Sequence, residues 1–343
     1  MTHLIYPASP SRRHLLASAC ALPLLAACGA TARSPSSTLK VSALFAGNVA
    51  DQGFMEAGWR GLQRAGTELG VQTRYIDGIA PQKALLAQAL EDLAKDKPDL
   101  VVAHGGQNNE ACAEVAARHP GTRFVVTQGS VRGANLASYD VLQEESAYLA
   151  GVLAASITRT GVVGHMSGIR VVPGLKGRAA FAAGVRAADP KVRLLTNFSG
   201  NQDDNALSRK VALAQSRAGA DVIFTMLNAG RDGVTQVCRE QGRRQIGNVG
   251  DWVARDPKVF VGSAIADVSV GVFEAVRDLQ AGRFPAGEIR KIGLAQRDAV
   301  RLTLAPDVPA EVRGRIERVA AEIAAGRLHV PITYDGPEFA TPA

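Results

Sequence analysis

The sequence predicts an α/β protein with two doubly wound halves, each a parallel sheet between layers of helices. Short segments rich in Val, Ile and Leu alternate with segments of helical spacing, which is typical of parallel βαβ units. The alternation occurs twice, in stretches of similar size. The 343 residues, 46% of them hydrophobic and 21% charged, are enough for two globular domains with their own cores.

The first half begins at Leu39, where an alternating apolar segment predicts a buried strand. The helix that follows has apolar residues at helical spacing, among them Trp59 and Leu62. The strands of this half are predicted at 39–45, 71–76, 99–104 and 122–127, and its helices at 52–70, 82–95 and 108–118. Residues 135–141 then lead into a long helix at 143–158.

The second half repeats the pattern. Its strands are predicted at 162–167, 193–198, 221–226, 244–249 and 259–265, and its helices at 174–188, 203–218 and 231–241, with one more ending at 279. The tail contains a predicted strand near 289–294 and a helix around 310–325. We therefore expect two Rossmann-like lobes, with ligands outside the carboxyl ends of the strands and a cleft where the lobes face each other.

The first 28 residues predict an export signal. A twin arginine, Arg12 and Arg13, precedes an uncharged apolar run at 15–27, and small residues stand directly before Cys28. The run is shorter than the roughly 20 residues of a membrane span. The twin arginine favours the Tat route, although Sec signals also carry paired arginines. The segment at 25–28 (LAAC) resembles a bacterial lipobox, which implies that Cys28 carries lipid.

The composition of the chain argues against a nucleic-acid-binding protein. The net charge of +7 is spread along the chain without a basic block, and aromatic residues make up 5%, so nothing indicates a nucleic-acid surface. Two cysteines, Cys112 and Cys238, remain in the body, each within a helical pattern. We expect two separate buried thiols, although an exported protein can also form a disulfide.

Motifs for catalysis and cofactors are absent from the sequence. No strand is followed by GxGxxG, and no GxxxxGK[ST] occurs, so neither dinucleotide nor P-loop chemistry is indicated. Residues 104–106 (HGG) are similar to an oxyanion loop, but the serine at 167 is one place out of register for GxSxG. The six histidines show no metal-ligand spacing. The adjacent acids Asp203 and Asp204 are interpreted as a helix cap. We expect no enzyme, no cofactor and no metal.

Ordered motifs carry a family resemblance. Residues 51–54 (DQGF) with 58–62 (GWRGL), then 143–151 (QEESAYLAG), 161–164 (GVVG) and 219–224 (GADVIF), resemble blocks of the basic membrane protein (BMP) family, the PnrA-like lipoproteins of ABC importers. The similarity extends from about 39 to about 283. The chain departs from the family at 228–231 (NAGR), where members have GGTG, and at Ala266, where members have lysine.

The resemblance implies a type I periplasmic-binding fold with three segments crossing between the lobes. It divides the chain into a signal peptide at 1–27, a lipidated tether at 28–38, a first lobe at 39–141 plus about 264–288, and a second lobe at 142–263 plus about 289–343. It implies a lipid-anchored, extracytoplasmic solute-binding protein, facing the periplasm or exterior, that serves an ABC permease and ATPase. We expect a monomer that binds a small polar ligand, nucleoside-like or related.

Candidate ligand-binding residues lie in polar loops after the strands. In nucleoside-binding members, the Asp and Phe that match Asp51 and Phe54 hold ribose and base, and a further Asp matches Asp251. Arg231 is either a bidentate partner for a carboxylate or a surface or ion-paired arginine, and Trp252 is either ligand wall or core. The full set of expected ligand-binding residues is Asp51, Phe54, Gln107, Asn108, Asn228, Arg231, Asp251, Trp252 and Asp267.

Two alternatives share these features. A ligand-sensing partner of a membrane signalling protein requires the same export signal, lobes and cleft. An enzyme acting on nucleosides or sugars requires in addition a nucleophile or an acid–base pair, and the sequence offers no convincing one. A neighbouring permease and ATPase in the genome would favour transport, whereas a neighbouring histidine kinase would favour sensing.

Overall fold

The computed structural model describes residues 38–340. The expected signal peptide, the lipid site Cys28 and nearly all of the tether lie outside these residues. Within the described chain, no helix is both long enough and apolar enough to cross a membrane.

Strands and helices alternate along the described chain, close to the predicted bounds. The first elements are β1 (Lys40–Phe45), α1 (Phe54–Leu69), β2 (Gln72–Ile76), α2 (Lys83–Ala94), β3 (Leu100–His104), α3 (Asn109–Arg118), β4 (Arg123–Thr127), β5 (Leu136–Val141), α4 (Gln143–Ile157), β6 (Val162–Ser167) and α5 (Val172–Ala188). The remaining elements are β7 (Arg193–Phe198), α6 (Asn205–Arg217), β8 (Val222–Met226), α7 (Arg231–Glu240), β9 (Arg244–Val249), β10 (Phe260–Ala266), α8 (Ser269–Gln280), β11 (Ile289–Ile292), β12 (Val300–Leu304) and α9 (Ala310–Ala324).

The strands form two six-stranded sheets. The first has the order β11-β5-β4-β3-β1-β2, and all its strands are parallel. The second has the order β12-β10-β9-β8-β6-β7, with β12 antiparallel at the edge. We call the first sheet with α1, α2, α3 and α8 the first lobe, and the second sheet with the other helices the second lobe. Two parallel-rich α/β sheets confirm the predicted fold class.

The structure corrects the sequence analysis at the C-terminal end. Strand β11 pairs with β5, so 289–292 lie in the first sheet rather than in the second lobe. Strand β12 at 300–304 was not predicted at all; it is a half-exposed edge strand with a weak apolar pattern. The chain passes between the lobes after β5, after β10 and after β11.

Helices α4 and α5 pack so closely in the second lobe that their backbones touch. A methyl group on Gly151 of α4 would overlap the carbonyl oxygen of Phe181, and one on Gly184 of α5 would overlap that of Tyr148. Helix α4 is buried along most of its length, since it also contacts β10 and α9. The two glycines therefore set the distance between these helices.

The structure also bears on the predicted helix cap at Asp203 and Asp204 and on the two cysteines. Asp204 caps α6, because its carboxylate accepts a hydrogen bond from the amide of Leu207 at 2.9 Å. Cys112 and Cys238 are both free and buried. Among the described residues, no group of three or more His, Cys, Asp or Glu side chains is placed to hold a metal ion.

Candidate functional site

A cavity of about 520 Å³ lies between the two lobes. Loops that follow the strands of both sheets line it, as the rule for open α/β sheets predicts. Four of the predicted residues line this cleft, namely Asp51, Phe54, Gln107 and Asn228. Its other walls include backbone and small apolar side chains, which suit a compact organic ligand.

Asp51 has two roles at the start of α1. The residue lines the cleft, and its carboxylate accepts hydrogen bonds from the amides of Gly53, Met55 and Glu56 at 2.8, 3.0 and 3.1 Å. These amides are among the unpaired donors of a helix N-terminus. Burial raises the pKa of Asp51 although the three hydrogen bonds oppose the shift. Asp51 therefore fixes the α1 terminus at the cleft edge.

Phe54 lies in the cleft against a buried histidine. The rings of Phe54 and His104 are stacked with centroids 4.3 Å apart. His104 Nε2 is 3.0 Å from the carbonyl oxygen of Phe54, which can only accept, so Nε2 carries the proton. Its Nδ1 then accepts from the Thr127 hydroxyl at 2.7 Å. The histidine thus positions the aromatic wall as a neutral ring.

The loop before α1 touches the second lobe directly. Oδ1 of Asn228 lies 3.3 Å from the amide nitrogen of Phe54, which donates to it. Nη2 of Arg231 donates to the carbonyl oxygen of Gln52 at 3.1 Å. A methyl group on Gly53 would lie 2.6 Å from Oδ1 of Asn228, so only glycine fits at this contact.

Arg231 does not line the cleft. Its guanidinium is buried, with Cζ 3.3 Å from the centre of the Trp252 ring system, and it also donates to the carbonyl oxygen of Leu227 at 3.1 Å. Burial lowers its pKa to about 10. Neither prediction from the sequence, a partner for a ligand carboxylate or a surface or ion-paired arginine, matches this buried position, and Arg231 instead links the lobes.

Asp251, Trp252 and Asp267 do not line the cleft but a second cavity of about 300 Å³. The Trp252 side chain is nearly buried and donates from Nε1 to the carbonyl oxygen of Asn248 at 2.9 Å, as expected of the core alternative. Asp251 accepts from the Thr303 hydroxyl at 3.0 Å. Asp267 accepts from the amide of Ser269 at 3.1 Å, at the start of α8.

Asn108 is also structural. It is fully buried, and its amide donates to the carbonyl oxygens of His104 and Gly105 at 2.9 and 3.1 Å. Further polar residues line the cleft that the sequence did not predict, among them Gln143, Ser167, Asp203 and Asn248. Ser167 ends β6 and Asn248 is near the end of β9, so the strand-end rule applied to every strand would have found both.

A second buried histidine supports the cleft from the other lobe. His165 Nε2 lies 3.1 Å from the hydroxyl of Ser167, and its Nδ1 lies 2.9 Å from that of Thr196. Burial, with a smaller repulsion from Arg178, lowers the pKa of His165 to about 3. Burial likewise lowers the pKa of His104 to about 4.

The free energy of unfolding should therefore decrease as the pH falls from 6.5 towards 4. In that window a histidine of the unfolded chain binds a proton, whereas the two buried histidines of the folded protein do not. Each buried histidine therefore lowers the free energy of unfolding by about 1.4 kcal/mol per pH unit. Urea denaturation at pH 7, 6 and 5 should show a shallower pH dependence for His165→Gln than for the wild type. The control is His329→Gln, which removes an exposed histidine. Equal pH dependences for wild type and His165→Gln would contradict a neutral buried ring.

The sequence comparison decides the family. Residues 38–332 match the PnrA-like substrate-binding proteins of ABC transporters, a family also designated Bmp. The chain belongs to this family. The resemblance to BMP proteins that the sequence motifs indicate is thereby confirmed, and the family is one of solute-binding proteins.

Relatives of this PnrA-like protein include a transporter component and a lipoprotein. The ABC transporter nucleoside-binding protein BmpA of Lactococcus lactis is 23% identical over 306 residues, covering 83% of this chain and 87% of the relative. An uncharacterized lipoprotein of Pyrococcus abyssi is 26% identical over 280 residues, covering 76% and 68%. A solute-binding protein of an Aeropyrum pernix ABC transporter system has a TM-score of 0.76 at 22% identity, with 85% and 94% covered. The fold is that of type I periplasmic binding proteins.

Proposed function

We propose that this PnrA-like protein is a lipid-anchored, extracytoplasmic receptor that delivers a small polar ligand, nucleoside-like or related, to an ABC permease and ATPase. The observation that carries the proposal is the cleft of about 520 Å³ between the lobes, with polar groups from both sheets and the aromatic ring of Phe54. Such a cavity offers a few directed hydrogen bonds within an apolar wall, which is typical of small-molecule sites.

The polar groups of the cleft suit hydroxyls and amines. Gln107, Asn228 and Asn248 can each donate and accept, and the Ser167 hydroxyl is held by His165. The ring of Phe54 provides a flat surface for a base or the apolar face of a sugar. The nucleoside-binding relative from Lactococcus lactis supports a ligand of this kind.

A screen of compounds against the domain tests the ligand. Differential scanning fluorimetry of residues 38–343 should find stabilising compounds among nucleosides, sugars and their amine derivatives, since a ligand at 100 times its dissociation constant adds about 2.7 kcal/mol. Calorimetry on each hit, with Gln107→Ala as the cleft variant and Gln280→Ala on α8 as the control, should locate binding to the cleft. Hits whose affinity is unchanged in Gln107→Ala and in Asn228→Ala would contradict the proposed site.

Membrane attachment at Cys28 is the second part of the proposal. The uncharged run before residues 25–28 (LAAC) supports export, by the Tat route given Arg12 and Arg13, and the lipoprotein relative from Pyrococcus abyssi supports lipidation. Two or more acyl chains would hold the protein stably on a membrane. Cys28→Ser should release it from the membrane fraction or leave it unprocessed, whereas Cys20→Ser, within the predicted signal, should not. An unmodified Cys28 in the mature wild type, seen by mass spectrometry, would refute lipidation.

A further inference from the structure

The cleft between the lobes is acidic. Among the described residues that line it, the charged side chains are Asp51 from the first lobe and Asp203 from the second, and there is no lysine, arginine or histidine. The two carboxylates repel each other, which adds to the effect of burial in raising the pKa of Asp51. Any ligand that enters this cleft therefore meets negative charge from both sides.

Three cations that are close in sequence to cleft-lining residues have partners of their own. Arg170 lies between two cleft-lining residues but is bound to Glu338 at 2.6 Å. Lys176 pairs with Asp140 at 2.9 Å and with Glu144 at 3.1 Å. Arg231, as described above, donates to backbone carbonyls, and its charge also attracts that of Asp51. The charge of Asp51 is therefore partly offset from outside the cleft, whereas no lysine, arginine or histidine of the described chain lines the cleft itself.

The two carboxylates differ in how many hydrogen bonds they already accept from the protein. Asp51 accepts three backbone hydrogen bonds, which commit it to α1. Asp203 accepts one, from the amide of Ala229 at 3.3 Å, and has no ion pair with a cation of the described chain. Its neighbour Asp204 caps the N-terminal end of α6 and does not line the cleft. Asp203 is therefore the carboxylate with free acceptor positions for a ligand.

We propose that the ligand carries a positive charge, on a protonated amine or a quaternary nitrogen, and that Asp203 is its counter-ion. This inference rests on the proposed function, since it assigns a charge to the solute bound in the cleft. A cation between the carboxylates relieves their repulsion, whereas a phosphate or carboxylate adds to it. The site thus selects amine-bearing compounds over neutral ones of the same shape and rejects anions.

Matched ligands that differ in charge test the proposal. One series is adenosine, 5′-amino-5′-deoxyadenosine and adenosine 5′-monophosphate; a second is glucose, glucosamine and glucose 6-phosphate. Calorimetry and thermal shift on the wild type should show the amine bound about 2- to 5-fold more tightly than the neutral compound in at least one series, with no binding of the phosphates.

Asp203→Asn should remove the preference for the amine and leave the affinity for the neutral compound nearly unchanged. Asp204→Asn is the matched control, because it makes the same change in net charge one residue away and asparagine also caps helices well. A loss of the preference in Asp204→Asn as well would assign it to net charge and overturn the role of Asp203. Equal or tighter binding of the neutral or phosphorylated compound by the wild type would overturn the inference while leaving the proposed function intact. Failure of all six compounds and of the wider screen would contradict both.

Discussion

Replacing Gly53 with alanine should weaken ligand binding by about 10- to 100-fold while each lobe stays folded. The added methyl group would lie 2.6 Å from Oδ1 and 3.1 Å from Cα of Asn228, which belongs to the other lobe. The clash therefore opposes the approach of the lobes and not the folding of either one. Overpacking of this kind costs about 1–3 kcal/mol, which corresponds to the expected loss of affinity. Calorimetry with a hit from the screen measures it.

A matched control is available on α1. A methyl group on Gly66 would make an ordinary contact, 3.5 Å from Cγ2 of Thr73, so Gly66→Ala should bind as the wild type does. Small-angle scattering adds a second measurement, since ligand should reduce the radius of gyration of the wild type and of Gly66→Ala more than that of Gly53→Ala. Wild-type affinity and compaction in Gly53→Ala would show that the lobes do not meet at this contact when ligand is bound.

The second large effect is on stability. Gly184→Ala should lower the free energy of unfolding by about 3 kcal/mol, because the new methyl group overlaps the carbonyl oxygen of Tyr148 and forces α4 and α5 apart. Backbone atoms cannot move aside as a flexible side chain can. Urea denaturation, followed by circular dichroism, should show a lower midpoint with an unchanged slope.

Gly314→Ala provides the comparison for that experiment. Gly314 lies within α9, where a methyl group would meet the flexible end of Arg318 at 3.5 Å. Alanine should stabilise the protein here by up to about 1 kcal/mol through its higher helix propensity. If Gly184→Ala proved as stable as Gly314→Ala, the close packing of α4 against α5 would be refuted.

Local patterns predicted most of the secondary structure, because buried parallel strands and amphipathic helices have periods that a short window reveals. Local patterns do not reveal to which sheet a strand belongs. Strand β11 has four residues and pairs with β5, about 150 positions earlier in the sequence, so no local signal assigns it. Strand β12 alternates weakly at an edge, where little apolar burial is needed.

The position of the cleft also followed from the sequence, because parallel strands bring their carboxyl ends to one edge. The sequence did not predict the direction in which each side chain points. Asn228 precedes α7 by three residues and Arg231 begins that helix, yet only Asn228 lines the cleft, since Trp252 and the Gln52 carbonyl hold the arginine elsewhere. Asp203 and Asp204 are adjacent and identical in type, yet Asp204 caps α6 through a local hydrogen bond, whereas Asp203 lines the cleft and accepts from the amide of Ala229.

Two hydrogen bonds form a bridge between the lobes, one from Arg231 to Gln52 and one from Phe54 to Asn228. On the side of the first lobe, this bridge uses main-chain atoms, the carbonyl oxygen of Gln52 and the amide of Phe54. Those atoms are the same whatever side chains a lineage places in the cleft. Cleft side chains other than Asn228, whose Oδ1 accepts one of these hydrogen bonds, can therefore be exchanged without changing the contacts between the lobes. The same independence makes the scaffold suitable for biosensors, in which an optical reporter across the bridge would be kept while the recognition residues are varied.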